Sequence, residues 1–522
     1  MRCDGFLAYL LLYFDNLTVF FSTTKIAITW HFIMLKRILK YSISLALCVN
    51  FLACSRDEQK VAGIWHTEFE AVPHLKSAFD VELRHDFFSD SWSGRFEMPE
   101  SMAEGSLSGV SIKDSRIFLD LGQGATFTGS ISKDKTEIKG LLNLTDRKSE
   151  ALTLKKTDRW SSQRPARIDT ENKALVNWKY QSPPLNSDGW KVGAMHVETA
   201  SSKALQDLFG NILKGKYHGL DALLVAQNGK LLLDEYFYLG DRERIHSLQS
   251  CTKSVSSLLI GIAQDEGLIP NLDVTLTDFF PSYKDSIQGK IPEPTLRNAL
   301  TMSAGLDWHE DIPYTDPKND AVLMNQSQDM YRYVLAKNLD EENKPGKKFE
   351  YNSGLSILLG GILSNVTGKP VDQYAEQTLF KGLGINTFAW TSINNQIHTG
   401  GGLFLRPRDM LKIGQLILDK GRWNEKQIVS TSWITASTAF VLPINESSSD
   451  WGYGYQWWRG VFRVKDKVFP AIYAAGYGGQ VLYIVPDLNL TILTMHHNAS
   501  DISGSHSLTW KDIEQSILPA FM

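Results

Sequence analysis

Cysteine is scarce in this chain: four among 522 residues, at Cys3, Cys48, Cys54 and Cys251. None forms a CxxC pair, which argues against a structural zinc site or a disulfide framework. A basic excess is missing too. Net charge is −4, with 43% of residues hydrophobic and 21% charged. That balance fits neither a nucleic-acid binder nor a disordered chain. Internal repeats and low-complexity tracts are lacking. His496-His497 has no HExxH context and no ligand set around it, so the expectation is no metal and no cofactor. The length leaves room for two or three domains.

The N-terminal region carries a targeting pattern that does not begin at residue 1. Met34-Leu35-Lys36-Arg37-Ile38-Leu39-Lys40 is a short basic stretch, followed by the largely apolar run from Ile43 to Ala53 and then Cys54. That order is a secretory signal, and its apolar run is too short to span a bilayer. Phe51-Leu52-Ala53-Cys54 resembles a bacterial lipobox, with Phe51 where leucine usually stands. The resemblance implies lipidation at Cys54 and export, as a periplasmic or outer-membrane lipoprotein. Residues 1–33 hold Asp4, Asp15 and the apolar stretches Phe6–Phe14 and Val19–Phe21. The favoured reading is a start assigned too early, with Met34 the start and 1–54 a leader; a membrane anchor built from both stretches is the alternative.

Residues 61–156 alternate apolar and polar side chains, as in Phe79-Asp80-Val81-Glu82-Leu83 and Arg116-Ile117-Phe118-Leu119-Asp120-Leu121. Turn signals at 122–124 and 133–135 separate such runs, so a small antiparallel sandwich or barrel is expected here. Residues 157–190, rich in Pro, Ser, Asn and charge, suit a linker or an extended crossing segment. From 191 to 522 helical and strand-like stretches mix: 250–266 and 409–419 as helices, 222–227 and 480–485 as strands.

Three motifs in this last region carry chemistry. In Ser250-Cys251-Thr252-Lys253, the apolar residues Val255, Leu258, Leu259 and Ile262 continue at helical spacing, and Gly267 is a stop. Ser250 therefore opens a buried helix, with Lys253 one turn later on the same face. The free N–H groups and partial positive charge of a helix N-terminus suit a nucleophilic serine. S-x-x-K alone is weak: Ser130 with Lys133 and Ser132 with Lys135 fit it too, but at a β-turn where no helix aligns the pair. The second motif, Phe349-Glu350-Tyr351-Asn352-Ser353-Gly354, precedes an apolar helical run from Leu355, and Tyr351 lies 101 residues beyond Ser250. The third, Tyr473-Ala474-Ala475-Gly476-Tyr477-Gly478-Gly479-Gln480, leads into the strand-like Val481–Val485. Its small residues let a substrate lie along a strand edge.

Together these motifs resemble the serine β-lactamase and penicillin-binding family, especially its class C-like and esterase branches, which carry S-x-x-K, Y-x-N and a K-T-G-like strand. Tyr-x-Ser, with Ser353 in the asparagine position and Asn352 one residue early, is similar to the 6-aminohexanoate-dimer hydrolase branch. The resemblance covers residues 190–522. It implies an α/β (α+β) fold: an antiparallel sheet flanked by helices, a helical region holding Tyr351, and the small all-β domain before them.

For the site, the resemblance implies Ser250 as nucleophile, with Lys253 and Tyr351 handling protons. A phenol, near pKa 10 in water, needs help to act as a base at neutral pH. The backbone N–H groups of Ser250 and Tyr477 would form the oxyanion hole. Asn352, Ser353, Gly476 and Trp457, the last in the aromatic run Trp451–Trp458, are candidate substrate contacts. Ala474 stands where the family has Lys or His and so removes a cation that grips carboxylates.

The expected reaction is hydrolysis of a small-molecule or peptide-like ester or amide through an acyl-enzyme. A peptidoglycan-directed D-amino-acid peptidase or β-lactamase is the alternative, and a non-catalytic envelope scaffold the third. His398-Thr399-Gly400 also spells H-T-G, but it precedes a helix rather than a long strand, and it is expected to be a structural stretch before a surface helix. Cys251 is expected to pack rather than react.

Overall fold

The computed structural model describes residues 60–522, apart from 87–88, 102, 123, 145–148, 164, 169–172, 197–198, 200–201, 288–292, 341 and 498–506. The leader expected over 1–54, with Met34 and Cys54, lies outside the described residues. Gly63–Arg84 and Trp92–Met522 form one compact unit that holds both large sheets; His85–Ser91 groups with the segment up to Ala62.

Nine strands make the first sheet: β1 (Gly63–Val72), β2 (Leu75–Asp86), β3 (Ser91–Met98), β4 (Ala103–Ser106), β5 (Gly109–Lys113), β6 (Arg116–Gly122), β7 (Ala125–Ile131), β8 (Glu137–Asn143) and β9 (Glu150–Thr157). Their order is β4-β3-β2-β1-β9-β8-β7-β6-β5. Alternation sends Ile117, Leu119 and Leu121 of β6 inward while Phe118 faces out. β2 and β7 are four strands apart, ~19 Å along a flat sheet at ~4.8 Å per step. The rings of Phe79 and Phe127 on those strands nevertheless lie 6.1 Å apart. The sheet therefore curls onto itself around a core of Trp65, Phe79, Val81, Phe127, Ile138 and Leu154.

Among its described residues the stretch 158–190 has no long regular element, and it is fastened to the C-terminal part of the chain. Arg167 pairs with Glu235, Trp178 stacks on Phe209 at 4.0 Å, and Arg408 donates to the Pro184 carbonyl.

The second sheet has β10 (Lys191–Val192), β11 (Leu220–Gln227), β12 (Lys230–Tyr236), β13 (Leu442–Pro443), β14 (Gly452–Tyr453), β15 (Trp458–Val464), β16 (Lys467–Gly476), β17 (Gln480–Val485) and β18 (Leu490–His496). The order is β10-β12-β11-β18-β17-β16-β15-β14-β13, and it is antiparallel except where β10 joins β12. Every residue of β18 is buried, as are seven of the eight in β11, because helices cover both faces.

On one face Leu223, Val225 and Ile492 pack against Leu205, Phe209 and Ile212 of α1 (Lys203–Leu213) and against Ile513 and Ile517 near the C-terminus. On the other, Leu224, Leu482 and Leu493 meet α2 (Cys251–Asp265) and α4 (Pro407–Leu418). α4 is thus a buried helix, not the surface helix expected after Gly402: its Met410, Leu411, Ile413 and Leu416 fill the core. α3 (Ser353–Thr367) is buried on all sides through Leu363 and packs along α2, in keeping with its nearly unbroken apolar sequence. The fold is therefore mixed α/β, an antiparallel sheet flanked by helices and preceded by an all-β region.

Candidate active site

The chain reaches α2 through a tight bend. Gln249 sits at φ 46, a left-handed conformation uncommon outside glycine, and Ser250 follows at φ −64 in the first turn. One helical turn on, Lys253 lies on the same face. Its Nζ donates to Ser250 Oγ at 2.9 Å and to the Gly400 carbonyl at 2.6 Å. It also stands over the face of Tyr351, 5.1 Å from the ring centroid. Lys253 is only 2% exposed, and among the described residues it has no carboxylate partner. His398 beside it is held down to about 4 by burial and by the lysine charge, and so is neutral. The structure thus gathers Ser250, Lys253 and Tyr351 around one ammonium whose partners are all uncharged.

Tyr351 is fixed from behind by aromatic stacking. Its ring lies on Trp458 at 5.8 Å and 20°, and Trp458 in turn stacks on Tyr473 at 6.0 Å and 17°.

The third motif comes in at the end of β16. A Cβ on Gly476 would stand 2.4 Å from the Leu248 carbonyl and 3.0 Å from Gln249 Cβ, so only glycine lets this strand reach the bend before Ser250. Tyr477 follows, 45% exposed, with its ring edge-on to Tyr314 at 5.8 Å. Gly478 and Gly479, both at positive φ, turn the chain into β17. Ala474 is fully buried and paired with Leu482, so no cation faces out from the position where the family has one.

Three expected substrate contacts are placed elsewhere. Trp457 is 0% exposed within the core, so the aromatic group beside Tyr351 is its neighbour Trp458. Asn352 is buried and caps α3, its side chain accepting from the Leu355 N–H. Ser353 is held by Glu310: its N–H and Oγ donate to that carboxylate at 2.7 and 2.5 Å. Glu310 also accepts from Trp308 Nε1 at 2.9 Å and from the Tyr314 hydroxyl at 3.0 Å. It therefore ties the Tyr351 segment to the Tyr314–Tyr477 pair. No motif points to Glu310 or Tyr314, and the Gly400 contact is made by a backbone carbonyl that any residue would carry.

The rival serines stay apart. Ser132 lies in a turn, where its hydroxyl donates to Asp134. Cys251 is buried, its thiol pushed up by burial and donating to the Gln480 carbonyl at 3.3 Å. Among the described residues no group of three or more His, Cys, Asp or Glu side chains could hold a metal ion.

A serine held by a buried lysine at a helix start, with a tyrosine over that lysine and a strand end beside the serine, defines a class of acyl-transfer folds. The Beta-lactamase family model matches residues 205–512, and the chain belongs to that family. It is 25% identical over 275 residues to the 6-aminohexanoate-dimer hydrolase of Paenarthrobacter ureafaciens, covering 46% of this chain and 64% of that protein. With protein flp of Staphylococcus aureus (strain N315) it shares 26% identity over 196 residues, 36% of this chain and 37% of that one. The chain thus spans less than two thirds of either relative. A solved structure from Bacillus anthracis, described as a candidate 6-aminohexanoate-dimer hydrolase, has a TM-score of 0.50 at 22% identity. It covers 65% of this chain and 88% of that one, and it supports the fold.

Proposed function

We propose that this protein is a serine hydrolase that opens esters or amides of small or peptide-like substrates through an acyl-enzyme. The observation that carries the reading is the Lys253 ammonium bridging Ser250 Oγ and the Gly400 carbonyl beneath Tyr351. Ser250 Oγ attacks the carbonyl carbon as its proton passes to Tyr351, which accepts it as a phenolate paired with the Lys253 ammonium. The N–H groups of Ser250 and Tyr477 receive the developing oxyanion. The proton then goes to the leaving alcohol or amine, and water releases the acyl group by the same route. The relative named as a 6-aminohexanoate-dimer hydrolase favours the amide and ester branch.

Ala474 is the observation that weighs against a β-lactamase or a peptidoglycan-directed D-amino-acid peptidase, since the position that would grip a carboxylate is a buried methyl group. The aromatic surroundings of Tyr351, Trp458, Tyr314 and Tyr477 suit neutral acyl groups instead. A non-catalytic scaffold is the third reading. The same proposal places the protein in a bacterial envelope, exported and lipidated at Cys54 from a start at Met34.

The test is labelling with a fluorophosphonate and with a fluorescent penicillin, followed by peptide mapping, alongside p-nitrophenyl ester turnover. Label at Ser250 with the fluorophosphonate, lost with turnover in Ser250→Ala, is expected. Turnover unchanged in Ser250→Ala sinks the assignment, and no label with either probe favours the scaffold.

A further inference from the structure

The geometry points to the N-terminal curled sheet as a buttress that positions Ser250 and Lys253, an inference that rests on the hydrolase reading for its catalytic consequence. The contact begins at Glu100, in the short turn Pro99–Ser101 after β3. Its carboxylate is buried and fully used. One oxygen accepts from Arg244 Nη1 at 3.0 Å, the other from the Ala78 N–H at 2.9 Å and the Ser77 hydroxyl at 3.2 Å. Arg244 is six residues before Ser250. The next residue, Ile245, is fully buried against Leu75 of the β1–β2 hairpin, together with Ala389 and Phe404.

From there the chain is held at every step to the nucleophile. His246 and Ser247 pair with Leu405 and Phe404, and Leu248 N–H donates to the Leu403 carbonyl at 2.9 Å. His246 Nε2 meets Asp221 at 2.9 Å, which fixes this short strand to β11. Gln249 then makes its left-handed bend, and Ser250 follows.

The partner strand Leu403–Leu405 supplies the other half of the site. Leu403 N–H donates to Thr252 Oγ1 at 3.2 Å, and three residues earlier stands Gly400, whose carbonyl holds Lys253. Leu75 shares one small buried apolar cluster with a residue on each arm, Ile245 just before His246 and Phe404 in Leu403–Leu405. One apolar cluster therefore joins the first sheet both to the arm that ends in Ser250 and to the arm that ends in Gly400. Reaction rates fall steeply when a nucleophile drifts by an ångström, so this brace bears on turnover although, among the described residues, none of the first sheet hydrogen-bonds to the Ser250 hydroxyl or to the Lys253 ammonium. Glu100, Arg244 and Leu75 are positioning residues.

The experiment uses the full chain and the variants Arg244→Ala, Arg244→Lys, Leu75→Ala and, as a milder packing change, Leu75→Val. Phe118→Ser, on the outer face of β6 and 42% exposed, is the control in the same sheet. Measured are kcat and KM for a p-nitrophenyl ester, amide exchange of peptides covering 245–252 and 400–405, and thermal unfolding.

Arg244→Ala and Leu75→Ala are expected to lower kcat at least tenfold with KM within twofold, and to speed exchange in both peptides. Arg244→Lys should recover to within threefold of the parent, Leu75→Val should fall in between, and Phe118→Ser should match the parent. Unchanged exchange in both peptides for Arg244→Ala and for the Leu75 variants overturns the inference, as does a raised KM at constant kcat. Should the parent chain turn over no ester, the hydrolase reading fails, while the exchange data still decide whether the first sheet braces these strands.

Discussion

Lys253 Nζ donates to the Gly400 carbonyl at 2.6 Å, a shorter contact than the 2.9 Å one it makes with Ser250 Oγ. The backbone after His398 thus sets where the ammonium sits, and the serine is placed against it. Replacing the lysine separates its chemical use from its cost. Burying an ammonium without a counter-charge disfavours the folded state, and a methionine of similar length fills the same space. Lys253→Met is expected to lower kcat/KM for esters by about a thousandfold, in the range of a lost proton-transfer group. Unfolding stability should hold or rise, by about 1 kcal/mol. Enzyme kinetics and urea melts of the same preparation check both, and a large loss of stability would assign Lys253 to the framework instead.

Tyr351 presents its ring face to Lys253 and is clamped on Trp458. Tyr351→Phe keeps the ring and removes the oxygen. It is expected to cut kcat about a hundredfold or more while KM changes little and the melting temperature stays within about 2 °C, as for other changes that leave packing intact. Trp458→Ala removes the clamp and keeps the oxygen, so it should lower both activity and stability, the latter by about 2–4 kcal/mol for a half-buried indole. Steady-state kinetics with thermal melts of the two variants distinguish the roles; equal kcat losses accompanied by equal destabilisation would mean that Tyr351 acts only through packing.

The parts legible in the sequence are those with a local signal. α2 and its stop at Gly267, the strand Gln480–Val485 and the alternation in β6 follow from periodicity and turn chemistry, which neighbouring residues decide among themselves; in β2 the alternation of residue types does not carry over to burial, since Asp80 is buried with its neighbours. The burial of α4 does not, because a helix with Arg408, Asp409 and Lys412 reads as exposed. Those charges are neutralised by partners distant in the chain, Arg408 by Asp188 and Asp234, and closer by, Lys412 by Asp409. The same limit applies within the site. Asn352 and Ser353 read as substrate-facing because they come directly after Tyr351, yet the helix cap and Glu310 claim them. Glu310 has no local signature, since its use depends on four donors that only the folded chain assembles. Trp457 and Trp458 differ in sequence by nothing that tells which one is core.

Gly476 is a point of close approach between β16 and the bend before Ser250. Its added Cβ would meet the Leu248 carbonyl at 2.4 Å, and a backbone atom cannot rotate away as a side chain can. Gly476→Ala must therefore push the strand end, with Tyr477, off the bend. The expected cost is about 1–3 kcal/mol of stability and a loss of kcat of about a hundredfold, comparable to the removal of an oxyanion donor. Gly210, on α1, has nothing within 4 Å of its Cβ position and is the reference. Gly210→Ala should leave activity unchanged and add about 0.5–1 kcal/mol of stability. Chemical denaturation and ester turnover of the two variants give the comparison, and a fully active Gly476→Ala chain would remove Tyr477 from the oxyanion hole.

His496 couples this same strand end to pH. Its Nδ1 meets the Gly479 carbonyl at 2.8 Å, and its Nε2 accepts from the Leu508 N–H at 3.2 Å. One ring nitrogen is thus a donor and the other an acceptor, which only a neutral imidazole satisfies. Burial holds the group down to about 4, against ~6.5 for a free imidazole. The unfolded chain therefore binds the proton first as pH falls. The contribution of His496 is whole above about pH 6.5 and is lost progressively down to about pH 4, by at most about 3 kcal/mol. His497, next in sequence, has the opposite sign: although burial lowers it, contact with Asp221 at 2.7 Å outweighs that and raises it. Its contribution is whole below the ordinary imidazole value and fades as pH rises through the raised one. Urea midpoints from pH 8 to 4.5 should show a fall on the acid side that is flatter in His496→Gln, where an amide can donate and accept in the same place without titrating. An acid limb of the same slope in both proteins would show that His496 is not the group that titrates.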